Sequence, residues 1–153
     1  MAQSIEVTEK VVNGKTLGTP LVKSLNTSYI ERTQAVDASG TNDTEIFLGG
    51  RNTKDLRRVD ETQAAVLAAM NAAPTTDIET GLSVTVKKKE GDLEERITPY
   101  LLTIAKSQIV EYYADPNDDT DSIIIVAVND NSAERTIYTV DDTYAALKAK
   151  WLL

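Results

Sequence analysis

The sequence predicts an α+β fold, mainly antiparallel β, made by tandem duplication of a four- to five-stranded unit with one C-terminal helix per copy. Three observations predict it. The stretch VDETQAAVLAA from Val59 is matched by VDDTYAALKA from Val140. Upstream of each, short segments alternate apolar and polar residues, the period of a half-buried strand. Between the two lies a short polar stretch, APTTDIE, with a proline and no periodic pattern. The first repeat is placed at 1–73, a linker at 74–80 and the second repeat at 81–153.

The copies align in order along the chain. SIEVTEK from Ser4 faces GLSVTVK from Gly81, which sets Ile5 against Leu82, Val7 against Val84 and Thr8 against Thr85. Asn13-Gly14-Lys15 faces Glu90-Gly91-Asp92 at the same offset of 77. Thr19-Pro20-Leu21 faces Thr98-Pro99-Tyr100, and Ile30 faces Ile109, both at 79. NDTEIFL is set against DDTDSIIIV at 76, and Val59-Asp60 against Val140-Asp141 at 81. Each change of offset falls in a polar, turn-rich segment, where insertions are tolerated.

Each copy opens on an alternating strand, Ile5 to Val12 and Leu82 to Lys88. A turn follows at Asn13-Gly14 or Glu90-Gly91-Asp92, and Asn-Gly is a favoured two-residue hairpin. Second strands are expected over Leu21 to Leu25 and Tyr100 to Ala105. Third strands are expected over Tyr29 to Val36 and Gln108 to Tyr113. A polar loop then leads to an apolar run, EIFLGG or SIIIVAV, and the latter reads as a strand buried on both faces. GGRNTKD and NDNSAER are turns into a short strand ending at Val59 or Val140. Asp60 and Asp141 are assigned as helix N-caps, since a carboxylate there accepts from the orphan N–H groups of the first turn. Gln63, three residues after Asp60, completes a capping-box spacing. TQAAVLAAMNAA is rich in helix formers and stops before Pro74. In TYAALKAKWLL, Lys148 and Lys150 suit the negative end of the helix dipole.

Composition narrows the function. With 153 residues, 41% of them apolar, the chain can bury the core of one ordinary domain or two very small ones. No apolar run approaches a membrane span, so no membrane partner is expected. MAQSIEVTEK has no basic region followed by an apolar stretch, so no secretory leader is expected. There is no Cys and no His. That excludes disulfides, thiolate metal sites and His-dependent nucleophile systems, and leaves only carboxylate, Lys or Tyr chemistry. Net charge is −8, and the acidity sits in the second half: 8 basic and 9 acidic residues precede Thr76, 8 and 15 follow from it. The one dense basic run, Lys87-Lys88-Lys89, is followed at once by Glu90, Asp92, Glu94 and Glu95. Neutralising phosphates takes clustered cations, so no nucleic-acid partner is expected.

Five segments invite a chemical or binding reading. Gly14-Lys15-Thr16 has the ending of a phosphate-binding loop, but Glu9 stands where its first Gly belongs and no helix follows, so a hairpin turn is expected. Asp115, Asn117, Asp119 and Asp121 alternate as calcium-loop ligands do. Thr120 and Val126 occupy the positions that need Gly and Glu, so a solvated hairpin loop is favoured and the four remain weak metal candidates. Glu94, Glu95 and Arg96 could form an acid pair with a clamp, but read better as a charged loop face. Of Tyr112 and Tyr113, alternation puts one inside and one outside. Trp151, Leu152 and Leu153 are candidate interface residues: either they pack back on the sheet or they dock on another subunit.

The closing half of each copy carries a further signal. TEIFLGGRNTKDLRRVDETQAAVLAA and DSIIIVAVNDNSAERTIYTVDDTYAALKA share an apolar strand, a turn, a strand ending in V-acid-acid-T, and a small helix. This pattern resembles the short FlbD-like domains of bacteria. Similar units occur in structural proteins of tailed phages, crAss-like phages included. The Asn-, Thr- and Ala-rich sequence is similar to virion components such as auxiliary capsid proteins. The resemblance implies a non-enzymatic structural protein of a virion, assembled in the host cytoplasm, with no cofactor. Its partners would be other virion proteins such as the major capsid protein. The alternative is a small cytoplasmic interaction or regulatory module of FlbD-like type. A carboxylate-based enzyme is a third class, and would need an acid pair lining a pocket. Copies of about 75 residues are marginal alone, so they are expected to pack together or to lean on a larger assembly.

Overall fold

The computed structural model describes residues 4–37, 42–50, 53–72, 80–127 and 134–153. Most of the expected linker 74–80, with Pro74, and the centre of the NDNSAER turn lie outside the described residues. The chain divides into two compact units, Met1–Thr75 and Thr76–Leu153. Both are mainly antiparallel β, with one α-helix each among the described residues.

In the first unit, β1 (Ser4–Val12) and β2 (Lys15–Asn26) form a hairpin, followed by β3 (Ile30–Ala35), β4 (Thr44–Gly50), β5 (Thr53–Val59) and α1 (Gln63–Met70). The hairpin turns on Asn13 and Gly14, with φ of 50° and 82°. Two consecutive left-handed residues match the twist of the flanking strands, which explains why Asn-Gly stands there. Asn13 also ties the turn to β5, its N–H donating to the Leu56 carbonyl and its Oδ1 accepting from the Leu56 N–H. The strand order is β3-β4-β5-β1-β2, antiparallel throughout. Alternation puts Ile5 and Val7 inside with Leu25, Ile46, Leu48 and Val59, and Val66 of α1 closes this core.

In the second unit, β6 (Gly81–Lys89), β7 (Tyr100–Ala105), β8 (Ile109–Asp115), β9 (Asp118–Ala127), β10 (Arg135–Val140) and α2 (Tyr144–Trp151) follow in the same sequence. Their order, β8-β9-β10-β6-β7, repeats that of the first unit strand for strand. The core is larger: Leu82, Val84, Val86, Ile104, Ile109, Tyr112, Ile124, Val126 and Val140 are covered by Leu147 and Trp151 of α2. Tyr112 is buried and Tyr113 half-buried; burial does not alternate along β8, where Ile109 to Tyr112 are buried in succession.

The registers give the counterparts residue by residue. Leu21 lies opposite Glu9 and Tyr100 opposite Val86, so these two pairs correspond. A bulge follows the first residue of β3, between Ile30 and Arg32, and another the first residue of β8, between Ile109 and Glu111. One sequence match is corrected. Thr44 pairs with Val59 and Ser122 with Val140, so Thr44 corresponds to Ser122 and Asp43 to Asp121, an offset of 78 where 76 was expected. The shared N/D-D-T letters lie two residues out of register because β9 begins at Asp118, four residues before Ser122, whereas β4 begins at Thr44 itself.

Candidate functional site

The corner where the last strand passes into the helix is built the same way in both units. On β1 the register steps from Glu9 opposite Val59 to Val11 opposite Arg58, leaving Lys10 as an extra residue. On β6 it steps from Val86 opposite Val140 to Lys88 opposite Thr139, leaving Lys87. A bulge re-aims the side chain of its extra residue. Here both are lysines, and both turn toward aspartates. Lys10 Nζ is 3.0 Å from each carboxylate oxygen of Asp43 and 3.3 Å from Asp60 Oδ1. Lys87 Nζ is 2.8 Å from Asp121 Oδ2 and 3.6 Å from Glu95 Oε1.

The V-acid-acid-T segment completes the corner. The N–H groups of Asp60 and Asp141 donate to the carbonyls of Thr8 and Thr85, both at 2.9 Å, so these aspartates still belong to the sheet. The next residue's carbonyl takes a hydroxyl: Thr44 Oγ1 to Glu61 at 2.8 Å, Ser122 Oγ to Asp142 at 2.7 Å. The Glu61 carboxylate accepts from the Thr8 N–H at 2.8 Å, and the Asp142 carboxylate takes Lys150 at 2.6 Å. Helix capping falls to the threonine. Thr62 Oγ1 accepts from the Ala65 N–H at 3.2 Å, and Thr143 Oγ1 from the Ala146 N–H at 3.1 Å. The assignment of Asp60 and Asp141 as N-caps is therefore corrected. An aspartate whose N–H is still held by the neighbouring strand cannot begin a helix, so the cap moves two residues on. Gln63 consequently opens α1 instead of closing a capping box, and its Nε2 lies 3.5 Å from the Thr33 carbonyl.

These lysines are not nucleophiles in waiting. Hydrogen bonds donated to Asp43 and then Asp60 hold the Lys10 ammonium above its ordinary value, and the one donated to Asp121 does the same for Lys87. Activation needs the opposite shift. The constellation is a charged brace that fixes the strand-to-helix corner.

A second cluster lies inside the first unit, and sequence reasoning missed it. Glu9 is fully buried on the core face of β1, in line with Ile5 and Val7. Lys23 Nζ is 2.8 Å from Glu9 Oε1, and Arg57 donates to Glu9 Oε2 at 2.8 Å. Arg57 also grips Asp55 with two bonds of 2.8 and 2.6 Å. Burial alone would push the Asp55 carboxyl up, but the Arg57 hydrogen bonds and charge, with Asn13 and Lys23, outweigh it and hold the group below its usual range. The available signal was parity: Glu9, Lys23 and Arg57 each occupy an inward position of an alternating strand.

The other candidates come apart. Asp115 Oδ1 accepts from the Asn117 N–H at 3.0 Å across the tight β8–β9 turn. Asn117 and Asp119 are exposed, while Asp121 is buried and committed to Lys87. Asp118 accepts from Thr120 through both hydroxyl and N–H, which lowers its carboxyl pKa. Among the described residues no three acidic side chains converge as metal ligands. Gly14 turns the β1–β2 hairpin, and Lys15 and Thr16 continue as strand β2. Glu94 and Glu95 are exposed, and Arg96 lies over the Tyr100 ring at 4.8 Å. Trp151 is corrected as an interface residue: it is buried, 5.8 Å from the Tyr112 ring, because the last turn of α2 lies on the core. Leu152 and Leu153 are exposed.

What the surface offers is large apolar side chains in both units: Val22, Val36 and Leu67 in the first, and a more fully exposed set in the second. Leu93, Ile97, Leu101, Leu152 and Leu153 are all exposed. Comparison with protein-family models, curated proteins and solved structures finds no match.

Proposed function

We propose that this protein is a non-enzymatic building block, an auxiliary capsid or other structural component of a phage particle, acting through protein–protein contacts with other virion proteins such as the major capsid protein. It arose by tandem duplication of one five-stranded, single-helix unit. The observation that carries the reading is where the chemistry has gone. The charged residues of the repeated corner are consumed in bracing it, while large apolar side chains are left outward in the second unit. Exposed large apolar side chains suit a contact surface. The duplication is supported by the shared strand order, the paired bulge lysines and the two threonine caps. The test is to purify particles from infected cells on a density gradient and quantify this chain by mass spectrometry. It is expected to co-sediment with the major capsid protein at a fixed ratio. Recovery only from the soluble fraction, bound one-to-one to a single cytoplasmic protein, would replace this reading with that of an interaction module.

A further inference from the structure

We infer that β7 is a strand-addition edge, filled by β7 of a second copy of this chain in an antiparallel pairing centred on Leu102. The inference rests on the assembly reading and names one partner within it.

β7 closes the strand order of the second unit, and among the described residues it pairs with β6 alone. Its outer N–H and C=O groups are therefore a template for another strand. Natural edges are blunted by charge, proline or a bulge, and β7 has none of these: it reads YLLTIA and pairs with β6 without a register shift. β3, which closes the order of the first unit, is protected by Glu31 and Arg32, both exposed. The two edges therefore differ in their fitness for pairing.

The core is also unfinished at β7. Tyr100, Leu102 and Ile104 lie opposite Val86, Val84 and Leu82, on the core face. Ile104 is buried, but Tyr100 and Leu102 are only half-covered. Beyond the strand, Leu93 is 97% exposed and Ile97 102%, and within it Leu101 is 81% exposed. Leu153, 85% exposed, lines a shallow hollow with Gly81, Leu82 and Ser83, beside the other end of β7.

The choice of a second copy follows from the pattern of β7 itself. An antiparallel pair about a two-fold normal to the sheet keeps each face on its own side. Centred on Leu102, it sets Leu102 against the partner's Leu102 and Tyr100 against the partner's Ile104. Leu101 then meets the partner's Thr103. Every core-face pair is apolar on apolar, and no charge meets a like charge within the strand. The half-covered Tyr100 and Leu102 would become buried.

The test uses the purified full chain, so a negative result here and a negative particle result can be told apart. Native mass spectrometry is expected to give a dimer. Leu101→Lys/Thr103→Lys sets lysine against lysine across the pairing and should return the monomer, and Leu101→Glu/Thr103→Glu should do the same with glutamates. Mixing the two variants should restore a dimer containing one of each, which neither misfolding nor general loss of hydrophobicity would do. The chain has no cysteine, so a Leu102→Cys variant should form a disulfide-linked dimer on mild oxidation, and a Leu67→Cys control should not. A wild-type monomer at high concentration overturns the inference. So does a dimer that survives both charged variants. If the charged variants fail to fold, the Leu102→Cys result decides alone: a specific cross-link supports the pairing, and its absence overturns it.

Discussion

The two units set different chemistry on one backbone plan. Register equates Glu9 with Val86, Lys23 with Leu102, Asp55 with Thr136 and Arg57 with Tyr138. The first unit therefore fills with a four-residue ionic cluster the space that the second fills mainly with apolar side chains. The helices differ in the same sense. Thr143 and Thr62 start them in register, which equates Trp151 with Met70, Tyr144 with Gln63 and Leu147 with Val66. Tyr112, Tyr144 and Trp151 form an aromatic group, with ring centroids 5.7 and 5.8 Å from Tyr112. At the corresponding places the first unit has Thr33, Gln63 and Met70. Backbone plan and core chemistry are thus separable: strand order, bulges and caps are common to both units, while the filling is free to change if the volume is occupied and the charges are matched.

The sharpest break in the comparison is at Glu9. Glu9→Ala removes the carboxylate that Lys23 and Arg57 share in a buried site, and breaking such a cluster costs about 3–5 kcal/mol. Val86→Ala at the matching place removes two buried carbons and should cost about 2 kcal/mol. Denaturant midpoints of the two variants give the order, and equal losses would mean that the cluster is better hydrated than its burial indicates.

The helices should diverge next. Trp151→Ala should cost about 3–5 kcal/mol by cavity formation. Met70→Ala should cost clearly less, because Met70 is only partly covered. Hydrogen exchange should accordingly protect the α2 amides more than those of α1, and equal protection would contradict the unequal anchoring.

Smaller effects sharpen the shared part. Thr62→Ala and Thr143→Ala should each lose about 1 kcal/mol, the ordinary loss of an N-cap. Asp60→Asn and Asp141→Asn should lose less in thermal melts, since neither side chain caps. The reverse order would reinstate the aspartates as caps.

The smallest effect is with pH. The Asp55 carboxyl lies below its usual range when folded, so its contribution is present above the ordinary aspartate value, about 3.9, and is lost as pH falls through the folded value. The stability gap between wild type and Asp55→Asn should therefore narrow below about pH 4. A gap constant down to pH 2 would exclude the linkage. Lys10 and Lys87 have the opposite sign: their contribution is present below the ordinary lysine value and lost as pH rises past the raised one.

The repeated letters made the shared plan legible. V-acid-acid-T, Asn-Gly and the alternating strands locate the elements because backbone geometry restricts which residues can stand there. Asp60 reads as the cap because an aspartate two residues before the true cap looks the same in sequence; the hydrogen bond to Thr8 tells them apart. The Glu9 cluster was hidden for a different reason. Its members lie far apart in the chain, and one charged residue at an inward position looks like an interruption of the strand until its partners are seen. Leu93, Ile97 and Leu101 carried no pattern, since an open edge is a property of what does not pair with it.

The direct test of one plan with interchangeable filling is to give the first unit the chemistry of the second. Glu9→Val, Lys23→Leu, Asp55→Thr and Arg57→Tyr are combined, so that no member of the cluster is left without its partner, and guanidinium unfolding is followed by circular dichroism. A cooperative fold with a midpoint at or above wild type is predicted, as when a buried ionic group is replaced by apolar residues of similar volume. A quadruple variant no more stable than Glu9→Ala would contradict the equivalence of the two cores.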